Sequence, residues 1–66
     1  MNVELNGTVR ELADGTTLTS LIESMTGSTR GSAVAVDDEV VPRGSWPEYT
    51  LRDGQRVELI TAVQGG

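Results

Sequence analysis

Met1-Asn2-Val3-Glu4-Leu5-Asn6-Gly7-Thr8-Val9-Arg10-Glu11-Leu12 is the stretch whose reading decides the fold. Met1, Val3 and Leu5 fall on one side of an extended backbone, with Asn2 and Glu4 on the other, the period-2 pattern of a half-buried strand. Asn6-Gly7 then supplies a hairpin turn, because both central residues of a type I′ turn need positive φ. Thr8 to Leu12 returns as a second strand, and Ala13-Asp14-Gly15 breaks it.

Beyond the hairpin the period changes. Leu18, Leu21, Ile22 and Met25 stand at i, i+3, i+4 and i+7, which places four apolar side chains on one helical stripe. Thr17 sits where a cap is wanted, its hydroxyl able to accept from an orphan N–H of the first turn. Gly27 is the natural residue just past the helix end. A helix of about ten residues does not persist alone, so the stripe must pack on the sheet.

After a polar connection, Ala33-Val34-Ala35-Val36 reads as a buried central strand. Asp37-Asp38 turns it into Glu39-Val40-Val41, and Pro42 ends that strand by removing an N–H donor. Ser45-Trp46-Pro47-Glu48 has capping-box spacing, which predicts a turn of helix. Trp46 and Tyr49, the two aromatics, are expected to cover the edge of a small core. Leu51 is a further anchor, Asp53-Gly54 a turn, and Arg56 to Val63 the last strand. In that strand Val57, Leu59 and Thr61 share one face, and Glu58, Ile60 and Ala62 the other. A hairpin, a crossover helix and further strands make an α+β fold: a mixed sheet of roughly four to five strands under one helix, with first and last strands parallel neighbours. The chain reads as a single domain spanning 1–66.

Composition excludes most chemistry of the chain's own. Among 66 residues there is no histidine and no cysteine, hence no imidazole base, thiolate nucleophile, Ser-His-Asp arrangement or ordinary zinc site. No glycine-rich phosphate loop joins a strand to a helix. Lysine is also missing, and the five basic residues are all arginines. A net charge of −5 argues against nucleic acid and anionic membranes, and favours partners with basic docking surfaces. With no apolar run of ~20 residues and no secretory signal, the expected location is the cytoplasm. Asp37, Asp38 and Glu39 lack the further ligands of a calcium loop and read as a turn. Arg43 and Arg52 are expected to be solvated, the alternative being pairing with a partner's acids.

The sequence closes on Gln64-Gly65-Gly66 directly after the last strand. Glycine packs nothing and costs backbone entropy, so folding gives no reason for two of them there. One reading is a frayed end. The other is a flexible tail, residues 64–66, that carries an unhindered α-carboxylate into a partner's site.

The strand order and this ending resemble the ubiquitin-like β-grasp proteins. Val34-Ala35-Val36-Asp37-Asp38-Glu39-Val40-Val41-Pro42-Arg43, then Trp46, Leu51-Arg52-Asp53-Gly54-Gln55-Arg56-Val57-Glu58 and Thr61-Ala62-Val63-Gln64-Gly65-Gly66 are similar to the ThiS family of thiamine-biosynthesis sulfur carriers. The likeness runs the full length; the Val-Val-Pro-Arg stretch and the Ala-Val-Gln-Gly-Gly ending are its most specific parts. The tail lacks the proline-bearing approach to Gly-Gly typical of the related molybdopterin-synthase small subunits. Asp37-Asp38 also stands where the family commonly has Asn-Gly, which implies a strained turn or a longer loop.

The resemblance implies a carrier and not an enzyme, with no cofactor bound by the chain itself. A ThiF-type enzyme, using ATP and magnesium, would adenylate the Gly66 carboxylate. A sulfur donor such as a cysteine desulfurase or rhodanese would convert it to a thiocarboxylate, and a ThiG-type thiazole synthase would take the sulfur. Gly65, Gln64, Val63 and Ala62 would thread the partner's channel. Ile60, opposite the helix-covered face, is the candidate docking residue, although isolated exposed apolar residues are normal. Two alternatives stay open: a carrier for another pathway such as molybdopterin synthesis, and a ubiquitin-like modifier of target proteins. A β-grasp module with an inert tail is a further reading.

Overall fold

A computed structural model describes residues 1–26 and 31–61. The chain runs β1 (Asn2–Leu5), β2 (Thr8–Glu11), α1 (Leu18–Thr26), β3 (Ser32–Val36), β4 (Glu39–Val41), a 3₁₀ helix (Arg43–Glu48) and β5 (Arg56–Thr61). The strands form a five-stranded mixed sheet in the order β2-β1-β5-β3-β4. β1 runs parallel to β5, pairing Glu4 with Arg56 and Leu5 with Val57, and the other neighbours are antiparallel. The hairpin, the parallel first and last strands and the α+β class are therefore as the sequence predicts. Gly27 and residues 62–66 lie outside the described residues, as does the end of the last strand.

The hairpin closes through Asn6 at φ 49° and Gly7 at φ 85°, both left-handed as a two-residue turn requires. At the other end of the sheet, Asp37 at φ 51° and Asp38 at φ 70° connect Val36 directly to Glu39. The left-handed two-residue turn that suits Asn-Gly is thus made by two aspartates, and the loop is not lengthened. Asp37 offsets its strain: its Oδ1 accepts the Arg56 N–H at 3.0 Å, and its own N–H donates to the Arg56 carbonyl at 2.8 Å. Among the described residues, no bond of this kind accompanies the left-handed φ of Asp38. Asp38→Gly is therefore expected to raise stability by about 0.5 kcal/mol, the relieved αL strain being partly cancelled by a more flexible unfolded chain. Asp37→Gly loses the bond to Arg56 and should not stabilise; urea titration of both variants checks the contrast.

Thr17 caps α1 as expected: its Oγ1 accepts the Ser20 N–H at 3.2 Å. A second orphan donor, the Leu18 N–H, reaches the Tyr49 carbonyl at 3.0 Å, and the Leu51 N–H bonds the Thr16 carbonyl at 2.9 Å. The segment around Tyr49 thus pins the start of the helix. Leu18, Leu21 and Ile22 are buried with Val3, Leu5, Val34, Val36, Val41, Trp46, Leu51 and Val57 in one core. Met25, the fourth member of the predicted stripe, is instead 38% exposed. It stands near the end of a nine-residue helix, where its stripe has run past the buried residues.

Three other expectations are corrected. Ser45 is not a helix cap: the 3₁₀ helix begins after Pro42 and receives no side-chain cap bond. The chain must turn as soon as β4 ends, so Ser45 falls inside the turn, donating its N–H to the Pro42 carbonyl at 2.9 Å. Trp46 is not at the core's edge but within it, at 1% exposure, with Nε1–H donating to the Val41 carbonyl at 2.9 Å. β3 is interior in the sheet but buried on one face only: Val34 and Val36 enter the core, whereas Ala33 is exposed. The helix covers one side of the sheet and leaves the other open.

Candidate functional site

Residues 62–66 follow β5 in the sequence, so the site is built from what holds that strand. β5 lies between β1 and β3. Its start is fixed by the turn before it: Gly54, at φ 84°, donates its N–H to the Asn2 carbonyl at 2.8 Å. The Glu4 N–H reaches the Gln55 carbonyl and the Asn6 N–H the Val57 carbonyl, both at 2.9 Å. Along the other edge, antiparallel pairing with β3 runs from Val36↔Val57 to Ser32↔Thr61. Val57 enters the core and Leu59 packs against it partly buried. That orientation turns Glu58 and Ile60 to the uncovered face.

Ile60 is 62% exposed there, which agrees with the face assigned to it from the sequence. The register adds what the sequence reading did not draw together. Ala33 lies opposite Ile60, Ala35 opposite Glu58, and Val40, 78% exposed, opposite Ala35. Cross-strand partners share a face, so Ile60, Ala33, Ala35 and Val40 form a strip of apolar and small residues across β5, β3 and β4. Glu58 stands within it and Glu4 across β1. The signal for Val40 was available, since it alternates with buried Val41, but the length of the pairing was not. Arg43 and Arg52 are exposed, as expected. Among the described residues, no group of three or more acids, histidines or cysteines is placed to hold a metal ion. No helix there is long and apolar enough to cross a membrane.

A second feature, unmarked by any local sequence pattern, is the Asn6 side chain. Its Oδ1 accepts the Leu59 N–H at 2.8 Å, and its Nδ2 donates to the Leu59 carbonyl at 3.3 Å. The remaining predicted site residues, Ala62, Val63, Gln64, Gly65 and Gly66, lie outside the described residues.

With this geometry in hand, comparison with known proteins is informative. The ThiS family model matches residues 3–66. A protein named sulfur carrier protein ThiS from Escherichia coli is 29% identical over 66 residues, the whole of both chains. Another of that name from Thermus thermophilus is 39% identical over 64 residues, 97% of this chain and 98% of the relative. A thiazole synthase from Paramagnetospirillum magneticum matches all of this chain at 27% identity over 20% of its own length. The crystal structure of the thiamine biosynthesis protein ThiS from Geobacter metallireducens superposes with a TM-score of 0.83 at 26% identity, covering 100% of both chains. Sequence and fold agree on one assignment: the chain belongs to the ThiS family.

Proposed function

We propose that this chain is a sulfur carrier of thiamine biosynthesis, a co-substrate of partner enzymes and not itself an enzyme, with the Gly66 carboxylate as the reacting group. The observation that carries the reading is the end-to-end match to two proteins named as such carriers, together with a thiazole synthase that contains a similar segment. That last protein favours thiazole formation over molybdopterin synthesis as the destination of the sulfur.

A carboxylate is a poor electrophile. Attack of a Gly66 oxygen on the α-phosphate of ATP, in a ThiF-type enzyme with magnesium, releases pyrophosphate and leaves an acyl-adenylate. The persulfide of a donor such as a cysteine desulfurase or rhodanese then displaces AMP, giving an acyl disulfide. A partner thiol cleaves its S–S bond, forming a disulfide with the donor's sulfur and releasing the thiocarboxylate that a ThiG-type thiazole synthase consumes. Each step needs the terminus at reacting distance in a site that excludes water, because an acyl-adenylate hydrolyses readily. Gly65 admits the chain end, while Gln64, Val63 and Ala62 span the partner's channel. With these partners the expected location is the cytoplasm.

In this reading the strip around Ile60 is the face that docks, beside the strand that delivers the tail. Replacing a central apolar contact with a charge commonly costs more than 1 kcal/mol of binding. Ile60→Asp is therefore expected to raise the KM of the adenylating enzyme for this chain about tenfold, with thermal unfolding little changed. An unaltered KM would remove Ile60 from the docking surface. The reading as a whole is tested by incubating the chain with a ThiF-type enzyme, ATP and magnesium. Pyrophosphate release and an AMP adduct at Gly66 are expected, and their absence with an enzyme that adenylates its own carrier would refute it.

A further inference from the structure

We infer that Asn6 is a positioning residue for the C-terminal tail: its side-chain amide stands in for a strand partner at Leu59 and sets the direction in which β5 delivers the residues beyond. This rests on the carrier reading above. Among the described residues, β1 pairs with β5 only at Glu4↔Arg56 and Leu5↔Val57. The ladder continues through the Asn6 N–H, which donates to the Val57 carbonyl at 2.9 Å. In a parallel ladder the next bond would take the Leu59 N–H to the main-chain carbonyl of Asn6, the residue after β1. At φ 49°, however, Asn6 already turns the backbone into the hairpin.

The side chain fills that place. Oδ1 takes the Leu59 N–H at 2.8 Å and Nδ2 gives to the Leu59 carbonyl at 3.3 Å, a two-bond contact across 53 residues of sequence. Asparagine suits both demands at once. It tolerates the left-handed region that the turn imposes, and its amide carries both donor and acceptor. Glycine would satisfy the turn but not Leu59. Aspartate would accept the N–H and face the carbonyl with a second acceptor. The contact lies on the β1 side of β5, while β3 holds the other side as far as Thr61. With both sides held, Ile60 is kept on the open face and the strand is fixed immediately before the tail begins.

The test uses Asn6→Gly, which keeps the turn unstrained and removes only the amide, and Asn6→Asp, which keeps the acceptor. Amide hydrogen exchange at Leu59 in Asn6→Gly is expected to accelerate about tenfold more than at Val57, as local opening requires. Small displacements of a reacting group are costly, so kcat for AMP transfer by a ThiF-type enzyme should fall on the order of tenfold while KM changes less than about twofold. Asn6→Asp should fall between Asn6→Gly and the unaltered chain. Exchange rising equally at Leu59 and Val57, an unchanged kcat, or a loss confined to KM would each overturn the inference. If the unaltered chain does not accept AMP, the carrier reading fails first and this inference with it. If it accepts AMP and Asn6→Gly does so equally well, only this inference fails.

Discussion

Deleting Gly66 is expected to leave the thermal unfolding of the domain where it is and to abolish AMP transfer completely. The separation follows from where stability resides. The buried core runs from Val3 to Val57 and draws on α1, the 3₁₀ helix and four of the strands, all of them before the tail. No core residue is lost with the last glycine. What is lost is the unhindered carboxylate: the new terminus, on Gly65, stops one residue short of the reacting position. One residue of extended chain spans about 3.3–3.6 Å, far more than the ~1 Å misplacement that already costs a hundredfold in rate. Gly65→Val tests the same geometry without shortening the chain, since a β-branched side chain narrows the φ/ψ choices and widens the segment that must enter the channel. Its AMP transfer should fall by two orders of magnitude or more, on the same principle of lost alignment. Adenylation that persists in the Gly66 deletion would show that another group reacts.

Trp46→Ala is expected to have the largest effect on folding. Trp46 is the largest of the side chains buried to below 2% exposure, and it lies among Leu18, Ile22, Val3, Val34 and Val57 in the same core. Truncating a buried tryptophan to alanine costs about 3–5 kcal/mol. A domain of 66 residues has only about 3–10 kcal/mol of total stability at the usual per-residue value. The variant should therefore be largely unfolded at 37 °C or melt far below the parent, as followed by far-ultraviolet circular dichroism. Trp46→Phe keeps most of the apolar volume but leaves the Val41 carbonyl without its indole donor. It should cost about 1 kcal/mol, the net worth of a buried hydrogen bond, because pairing with Val34 leaves the Val41 carbonyl in the sheet ladder. A Trp46→Ala protein as stable as the parent would contradict the placement of this side chain at the centre of the core.

The sequence made legible whatever depends on local periodicity. The alternation in Met1 to Leu5, the Asn6-Gly7 turn and the spacing of Leu18, Leu21 and Ile22 each carry their structural outcome within a few residues. The parallel pairing of first and last strands followed from chain economy. What could not be read depends on residues far apart. Ser45-Trp46-Pro47-Glu48 matches a capping box, but the abrupt exit from β4 makes Pro42 the residue before the helix and carries Trp46 inward. Ala33-Val34-Ala35-Val36 has the composition of a strand buried on both faces. Only the helix's position on one side decides that Ala33 is open to solvent. The bond from Asn6 to Leu59 crosses 53 residues and leaves no local trace beyond an asparagine whose turn already explains it. For the candidate site, Ile60's outward face was readable from alternation in β5, while its neighbours Ala33 and Val40 needed the register.

On the proposed function, these elements would serve as the base for a short reactive end. β5 is held by β3 along one side and by β1 with Asn6 on the other, and Ile60 is exposed near the end of that strand, where the proposed function needs a docking contact. Under that proposal the chain needs little else, since activation, sulfur delivery and ring formation would belong to its partners. The acidic balance of the chain, −5 overall, favours partners with basic surfaces around an apolar centre that meets the strip on the open face.

The most direct measurement is the intact mass of the chain isolated from the cells that make it, with fragmentation to locate any change. The account predicts a fraction in which one oxygen of the Gly66 carboxylate is replaced by sulfur. That fraction should revert to carboxylate on incubation with the thiazole synthase and its substrates. A chain found instead in covalent adducts with whole target proteins, or one that carries no sulfur in cells actively forming thiazole, would contradict it.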